Sequence, residues 1–149
     1  MARASALVPA LLICMTAAQV RAREEARVAP YRIERDAILT PLAAPGDPLR
    51  GRAIVSSRES NCTLCHAAPD SGGRIMGNLG PPLAGSGSRL TEGQLRLRIV
   101  DSQRLNPETI MPSYHRVDGM NAVAATYRGK PVLTAQQVED VVAYLLTLR

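Results

Sequence analysis

The clearest pattern of apolar and polar positions lies at the end of the chain. Apolar side chains recur there at helical spacing, at Val138, Val141, Val142, Leu145 and Leu146. This spacing puts them on one stripe of an α-helix. Residues 134–137, Thr-Ala-Gln-Gln, have the pattern of a capping box, which starts a helix. The pattern therefore predicts an amphipathic C-terminal helix whose stripe packs against a core.

Two further helices are predicted from their start signals. Asp47 and Pro48 are the residue types favoured at the N-cap and first position of a helix, which is predicted to run through Val55. A second capping box at residues 91–94, Thr-Glu-Gly-Gln, predicts a helix that ends near Leu105.

A glycine inside the first of these helices indicates a close helix crossing. Gly51 costs about 1 kcal/mol of helix stability relative to alanine. We expect such a glycine where another helix must pass close by. Tyr144, on the C-terminal helix, is expected to pack near it.

The segment before the first helix is charged and then interrupted by proline and glycine. Residues 23–46 are predicted to form an extension outside the compact core, which runs from 47 to 149. The extension nevertheless carries apolar side chains, which favour docking on a partner: Tyr31, Ile33, Ile38, Leu39 and Leu42.

The first 22 residues have the pattern of a secretory signal peptide that is removed. Arg3 precedes an apolar run from Ala6 to Met15, and small residues follow it. The run is too short to span a bilayer. We therefore expect export to the periplasm and no stable membrane insertion.

Composition adds two constraints. The 149 residues suit one domain, and aromatic residues make up only 3%, with no Phe or Trp. A haem would supply the flat apolar surface that aromatic side chains usually provide. The formal charge is +5, but the basic residues are scattered rather than clustered with aromatics, which argues against nucleic-acid binding.

The strongest chemical motif is Cys62-Thr63-Leu64-Cys65-His66, a C-x-x-C-H sequence typical of covalent haem c attachment. Two thiols at this spacing can each add to a vinyl group of one porphyrin. The histidine that follows can then ligate the iron. Removal of the signal peptide would take Cys14 away and leave Cys62 and Cys65 as the only cysteines.

Other uses of this motif fit the chain poorly. A structural zinc site needs four ligands, and only the distant His115 could complete the set. A thioredoxin-like pair would need a βαβ setting, and nothing before Cys62 has the pattern of a strand.

The second iron ligand is predicted to be Met111. It lies between prolines in a loop, where a side chain can be presented to the open face of a haem. Histidine and methionine are the axial pair of cytochromes c. Met76, Met120 and His115 are the alternatives.

Two kinds of contact to the predicted haem and its histidine ligand are expected from neighbouring residues. The turn at residues 78–85 is rich in proline, and the Pro81 carbonyl is the candidate acceptor for the second ring N–H of His66. Arg96, Arg98 and Arg104 are expected to face solvent, with Arg96 or Arg98 an alternative contact for a haem propionate.

The order of these motifs along residues 47–149 resembles that of a class I cytochrome c. The resemblance implies an all-α fold in which the first and last helices cross around one covalently bound haem. In that family Gly51 would meet Tyr144, the Pro81 carbonyl would orient His66, and Met111 would close the iron.

Several longer stretches resemble the SoxX family more closely. They are G-N-L-G-P-P-L at residues 77–83, L-R-L-R-I-V-D at 95–101, P-E-T-I-M-P-S-Y at 107–114, Y-R-G-K-P-V-L at 127–133 and Q-V-E-D-V-V-A-Y-L at 137–145. SoxX is the small monohaem subunit of the SoxAX complex of periplasmic sulfur oxidation. Its N-terminal extension lies against the larger subunit, SoxA.

The resemblance implies a role in thiosulfate oxidation. SoxAX joins thiosulfate oxidatively to a carrier cysteine of SoxYZ, with the sulfur chemistry on SoxA. This chain would be the non-catalytic electron-transfer subunit, passing electrons to a soluble cytochrome c. The alternatives are a free-standing periplasmic electron carrier, and an enzyme or gas sensor with an open haem face.

Overall fold

The fold is built from short helices joined by long loops. The computed structural model describes residues 27–69 and 75–149, so the predicted signal peptide at residues 1–22 lies outside the described part. Within that part the helices are α1 Pro48–Val55, α2 Cys62–Cys65, α3 Ser86–Arg89, α4 Glu92–Asp101 and α5 Ala135–Thr147, with 3-10 turns at Ser102–Arg104 and Ala125–Tyr127. The described residues contain no β-strand beyond an isolated bridge between Glu34 and Ala37, and the predicted all-α class is confirmed.

The predicted helix starts are present. The Asp47 side chain accepts hydrogen bonds from the backbone N–H groups of Leu49 and Arg50, at 2.7 and 3.2 Å. Thr91 and Thr134 each form a complete capping box at the start of α4 and α5. Helix α4 ends at Asp101, and the 3-10 turn Ser102–Arg104 follows it before Leu105. Local capping chemistry therefore sets these boundaries.

Helices α1 and α5 cross at the predicted glycine. A Cβ atom on Gly51 would lie only 1.9 Å from the carbonyl oxygen of Asp140 and 2.8 Å from the Cβ of Tyr144. Only a residue without a side chain lets the two backbones approach so closely. The predicted contact between Gly51 and Tyr144 is confirmed.

The core lies between these crossing helices and α4. Its fully buried apolar side chains come from all three helices and include Val55, Leu97, Val100, Val138 and Val142. In the apolar stripe predicted on α5, Leu146 is partly buried, and the other four residues are buried in this core: Val138, Val141, Val142 and Leu145.

The expectation that residues 23–46 lie outside the compact core is wrong for the described residues 27–46. Ile38 is 0% exposed and belongs to the core cluster. Its N–H donates to the carbonyl of Gly93 at 3.0 Å, and the N–H of Leu42 donates to Glu139 at 2.9 Å. Tyr31, Ile33 and Leu42 pack against the same core, whereas Leu39 stays exposed.

The expectation that Arg96 faces solvent is also wrong. Its side chain is 1% exposed and donates to both carboxylate oxygens of Glu139, at 2.7 and 2.9 Å, and to the Ile38 carbonyl at 2.7 Å. Burial alone would lower the pKa of Arg96, but Glu139 and Glu92 outweigh it and raise that pKa. A buried guanidinium thus joins α4, α5 and the N-terminal segment.

Candidate haem site

Helix α2 presents the C-x-x-C-H motif. Cys62 and Cys65 are the first and last residues of this four-residue helix, and both are half-buried. Asn61 starts the turn with a left-handed backbone (φ 55°), and His66 leaves it in an extended conformation. Asparagine tolerates the left-handed conformation better than most residues do. The histidine therefore leaves the helix directly beside the two thiols.

Residues 77–83 run alongside residues 63–67 in the same chain direction. The N–H groups of Gly77, Gly80 and Leu83 donate to the carbonyls of Thr63, Cys65 and Ala67, at 3.0, 2.8 and 2.8 Å respectively. These three bonds fix the proline-rich turn against the motif.

Two glycines make that approach possible. A Cβ on Gly77 would lie 1.7 Å from the Leu64 carbonyl oxygen, and a Cβ on Gly80 would lie 2.4 Å from His66 Cε1. Both distances are far below a van der Waals contact, so any side chain would displace the backbone or the imidazole. Gly80 in particular leaves the space in which the His66 ring lies.

The Pro81 carbonyl lies 2.6 Å from His66 Nδ1. A carbonyl can only accept, so Nδ1 carries the proton and donates, which leaves the lone pair of Nε2 available. The Arg89 side chain also fixes this proline-rich turn, because it donates to the carbonyls of Pro82 at 2.9 Å and Ala84 at 2.7 Å. The imidazole is therefore fixed in the tautomer and orientation that a metal-binding histidine needs.

Two adjoining cavities open beside His66. One has a volume of about 420 Å³ and the other about 200 Å³. Both are bordered by the same six residues, Cys62, His66, Pro81, Thr109, Met111 and Tyr114. The walls of the larger cavity are mainly apolar and come from α1, α4 and α5, with Val55, Leu95 and Val141 among them. Its size is within the range of ligand pockets.

Met111 borders both cavities, whereas the three alternative ligands are engaged elsewhere. Met76 Sδ lies 3.1 Å from the N–H of Ala68. Met120 Sδ contacts Arg116 at 3.2 Å. His115 is 0% exposed, and neither it nor Met76 nor Met120 borders the two cavities.

Both ring nitrogens of His115 already have partners. Nδ1 lies 2.7 Å from the Leu133 carbonyl, and Nε2 accepts the N–H of Ala29 at 3.0 Å. Burial lowers the pKa of His115, and the bond to Leu133 opposes this only in part. The side chain is a neutral link between the N-terminal segment and the loop before α5.

Tyr114 is a site residue that sequence reasoning missed. It is buried, borders both cavities, and donates its hydroxyl to the Ser60 carbonyl at 2.7 Å. Burial raises the pKa of the Tyr114 hydroxyl, and burial also raises that of the Cys62 thiol. The signal that could have found it is its position three residues after Met111, in a chain with only four tyrosines.

Of the three arginines expected to face solvent, Arg104 is exposed, Arg98 is half-buried and Arg96 is buried. Arg98 and Arg89 border the larger cavity, whereas Arg96 and Arg104 do not. Arg98 is half-buried and donates to the Gln94 carbonyl at 3.0 Å. Arg98 and Arg89 are therefore the cations placed to meet a propionate.

This donor set fits a haem. Two adjoining cavities are bordered by apolar walls and by four donor side chains: two thiols one helical turn apart, an imidazole with a free Nε2 and a thioether. A porphyrin is a flat apolar ring with two acidic arms, so apolar walls with two arginines at their border match its chemistry. No helix in the described ranges is long and apolar enough to cross a bilayer.

Comparisons with known proteins agree with this fit. Residues 49–149 match the family model of cytochrome c. The crystal structure of SoxXA from P. pantotrophus is similar, with 34% sequence identity, a TM-score of 0.74, and coverage of 83% of this chain and 98% of that chain. No curated protein sequence matches. The chain therefore belongs to the cytochrome c family and, within it, to the SoxX proteins, as a haem c electron-transfer protein.

Proposed function

We propose that this chain is the electron-transfer subunit of a SoxAX-type complex that oxidises thiosulfate. The observation that carries the proposal is that Cys62, His66 and Met111 border the same pair of adjoining cavities. In this proposal Cys62 and Cys65 would hold one haem through thioether bonds, and His66 and Met111 would be the two ligands of its iron. The similarity to SoxXA supports a SoxA-type partner.

The residues around the site prepare it for electron transfer. When bound, the haem supplies a reversible one-electron iron couple, and a methionine ligand raises its potential. Pro81 holds His66 with Nε2 free, and the apolar walls exclude water from the ring. His66 and Met111 would both bind the iron, which would leave no open position on it for a substrate.

Catalysis belongs to the partner in this proposal. The two cysteines of the described residues are both assigned to haem attachment, which leaves neither thiol for sulfur chemistry. The SoxA-type subunit would conjugate thiosulfate to the carrier cysteine of SoxYZ. This chain would take the electrons released there and pass them to a soluble cytochrome c in the periplasm. Residues 1–22 would be the signal peptide that directs export.

An exposed apolar face next to the thiols is the proposed contact for electron exchange. Leu79 and Ile110 are 71% and 74% exposed and border the smaller cavity together with Cys65. Leu64, between the two cysteines, is 66% exposed. Clustered apolar side chains at a surface mark interaction sites. The partner-docking role of residues 23–46 rests on the side chains left exposed there, such as Leu39 at 59%.

The test is purification of the tagged chain from the periplasm of cells that express it with its SoxA-type partner. We expect a second, larger haem protein to elute with it on size exclusion. Ile110→Lys should weaken this association, whereas Leu49→Lys, on an exposed position of α1, should not.

A chain that elutes alone would support the free-standing electron carrier instead. One observation favours that alternative: residues 27–46 pack on their own core, so the extension does not require a partner to bury Ile38.

A further inference from the structure

The loop that carries Met111 is tied to the C-terminal end of α4. The N–H groups of Tyr114 and His115 donate to the carbonyls of Ile99 and Val100, at 3.0 and 3.2 Å. These carbonyls belong to the last turn of α4, where the helix itself offers no N–H partner. The loop thus completes the hydrogen bonding of the helix end.

Two side chains at the end of α4 hold the residues on either side of Pro112. The Ser102 hydroxyl donates to the Met111 carbonyl at 2.6 Å, and the Ser113 hydroxyl donates to Asp101 Oδ1 at 2.8 Å. Ser102, Asp101 and Ser113 are 6%, 2% and 3% exposed. Proline has no N–H, so Pro112 itself cannot donate a backbone hydrogen bond.

The Asp101 carboxylate is in turn held by a cation. Arg116 Nη1 lies 3.0 and 3.2 Å from its two oxygens, and the other guanidinium nitrogen, Nη2, contacts Gln103. A buried carboxylate is retained when such partners compensate its loss of hydration. Asp101 therefore has a fixed position from which to hold Ser113.

We propose that Ser102 and Asp101 are positioning residues for the Met111 thioether. The Met111 carbonyl carbon is bonded to the same Cα that carries the side chain, so fixing that carbonyl fixes where Sδ can reach. The inference rests on the proposed function, in which Met111 is an iron ligand. Asp101, the last residue of α4, and Ser102, directly after it, thereby keep the methionine bound against competing ligands.

The experiment is a titration of the oxidised haem protein with imidazole, which displaces a methionine ligand. Absorption in the far red reports the methionine–iron bond. Removing the Ser102 hydroxyl in Ser102→Ala leaves a buried carbonyl without its donor, and we expect the half-saturating imidazole concentration to fall about fivefold or more. Ser102→Thr keeps a hydroxyl and should restore most of the difference.

Ser60→Ala is the matched control. Ser60 is also buried and its hydroxyl also donates to a backbone carbonyl, that of Ile54 at 2.5 Å, but its side chain borders neither cavity. We expect it to lower thermal stability about as much as Ser102→Ala while leaving the imidazole titration unchanged. Equal titration shifts in the two variants, or none in Ser102→Ala, would overturn the proposal.

Met111→Ala separates the two claims. If it loses the far-red band while Ser102→Ala titrates like the wild type, the positioning role is wrong and the ligand assignment stands. If it keeps the band, the ligand assignment and the inference are both wrong. Should Ser102→Ala give no haem protein, Ser113→Ala tests the second tether by the same titration, with a fall in half-saturation expected and no change contradicting it.

Discussion

At the scale of single residues, the position of His66 depends on a missing side chain as much as on a hydrogen bond. Pro81 supplies the acceptor for Nδ1, and Gly80 supplies the space for the ring. Neither would serve alone, since an acceptor is useful only if the imidazole can reach it. Pro81 and Gly80 together fix the orientation of the His66 ring.

Gly80→Ala tests this directly. The new Cβ would lie 2.4 Å from His66 Cε1. We expect a loss of about 1–3 kcal/mol in the free energy of unfolding, with a changed absorption spectrum of the haem protein, because the ring must move. The measurement is denaturant unfolding. Gly119→Asn is the control, because no atom lies within 4 Å of its Cβ position and asparagine tolerates its φ of 70°. Equal losses in the two variants would contradict the account.

His115 gives the fold a pH dependence of defined sign. Burial lowers its pKa below the ordinary 6.5, so the unfolded chain takes up a proton at a higher pH than the folded one does. Stability should be independent of this group above pH 6.5 and should fall as the pH drops from 6.5 through the folded-state pKa. Thermal melts across this range should show the decline in the wild type and a smaller one in His115→Gln. Identical dependence of thermal stability on pH in the two proteins would show that His115 does not cause the decline.

The residues that could be predicted from the sequence are those whose chemistry is local. Covalent attachment fixes the spacing of Cys62, Cys65 and His66, and that spacing is visible in any single sequence. Arg96 could not be predicted, because its partner Glu139 lies 43 residues away and only folding brings the charges together. Tyr114 was missed for the same reason, since its acceptor, Ser60, is 54 residues distant.

At the scale of elements, the crossing of α1 and α5 determines where the core lies. Gly51→Ala would improve the intrinsic helix propensity of α1 by about 1 kcal/mol. The new Cβ would however lie 1.9 Å from the Asp140 carbonyl oxygen, which is backbone and cannot move aside. We expect a net loss of about 3 kcal/mol by urea unfolding. Leu49→Ala, at a 77% exposed position of the same helix, should change stability by less than about 0.5 kcal/mol. A stabilised Gly51→Ala would show that the helices do not cross here.

In residues 27–46, two neighbouring apolar side chains differ in burial, and this difference allows a test of how the segment packs. Ile38 is 0% exposed and Leu39 is 59% exposed. Ile38→Ala should cost about 3 kcal/mol, because a buried side chain is removed from the core, whereas Leu39→Ala should cost less than about 0.5 kcal/mol. Urea unfolding of the two variants measures both. If both are neutral, residues 27–46 do not belong to the folded core.

The helices and the extension show why one part of the fold was predictable and another was not. Helix starts could be predicted because capping residues, such as Thr91 and Thr134, bond to groups within four positions of themselves. The extension has no helical or strand period, so its composition indicated a segment outside the core. Its attachment depends on contacts with Gly93, Glu139 and His115, which only the three-dimensional structure brings within reach.

At the scale of the whole molecule, the N-terminal segment and the Met111 loop are joined to the same helices. The Ile38 carbonyl is held by Arg96 of α4, and the Met111 carbonyl is held by Ser102 just after it. The haem site is therefore assembled from segments distant in sequence around one helical frame. In the proposed function this molecule carries electrons on a haem whose iron would be bound by both His66 and Met111.

The ligation of the iron by His66 and Met111 is best tested by near-infrared magnetic circular dichroism of the oxidised haem protein, because this method identifies both axial ligands at once. We expect a low-spin ferric haem with histidine and methionine ligation, and we expect the methionine contribution to be absent in Met111→Ala. A high-spin iron, or two histidine ligands, in the wild-type protein would contradict it.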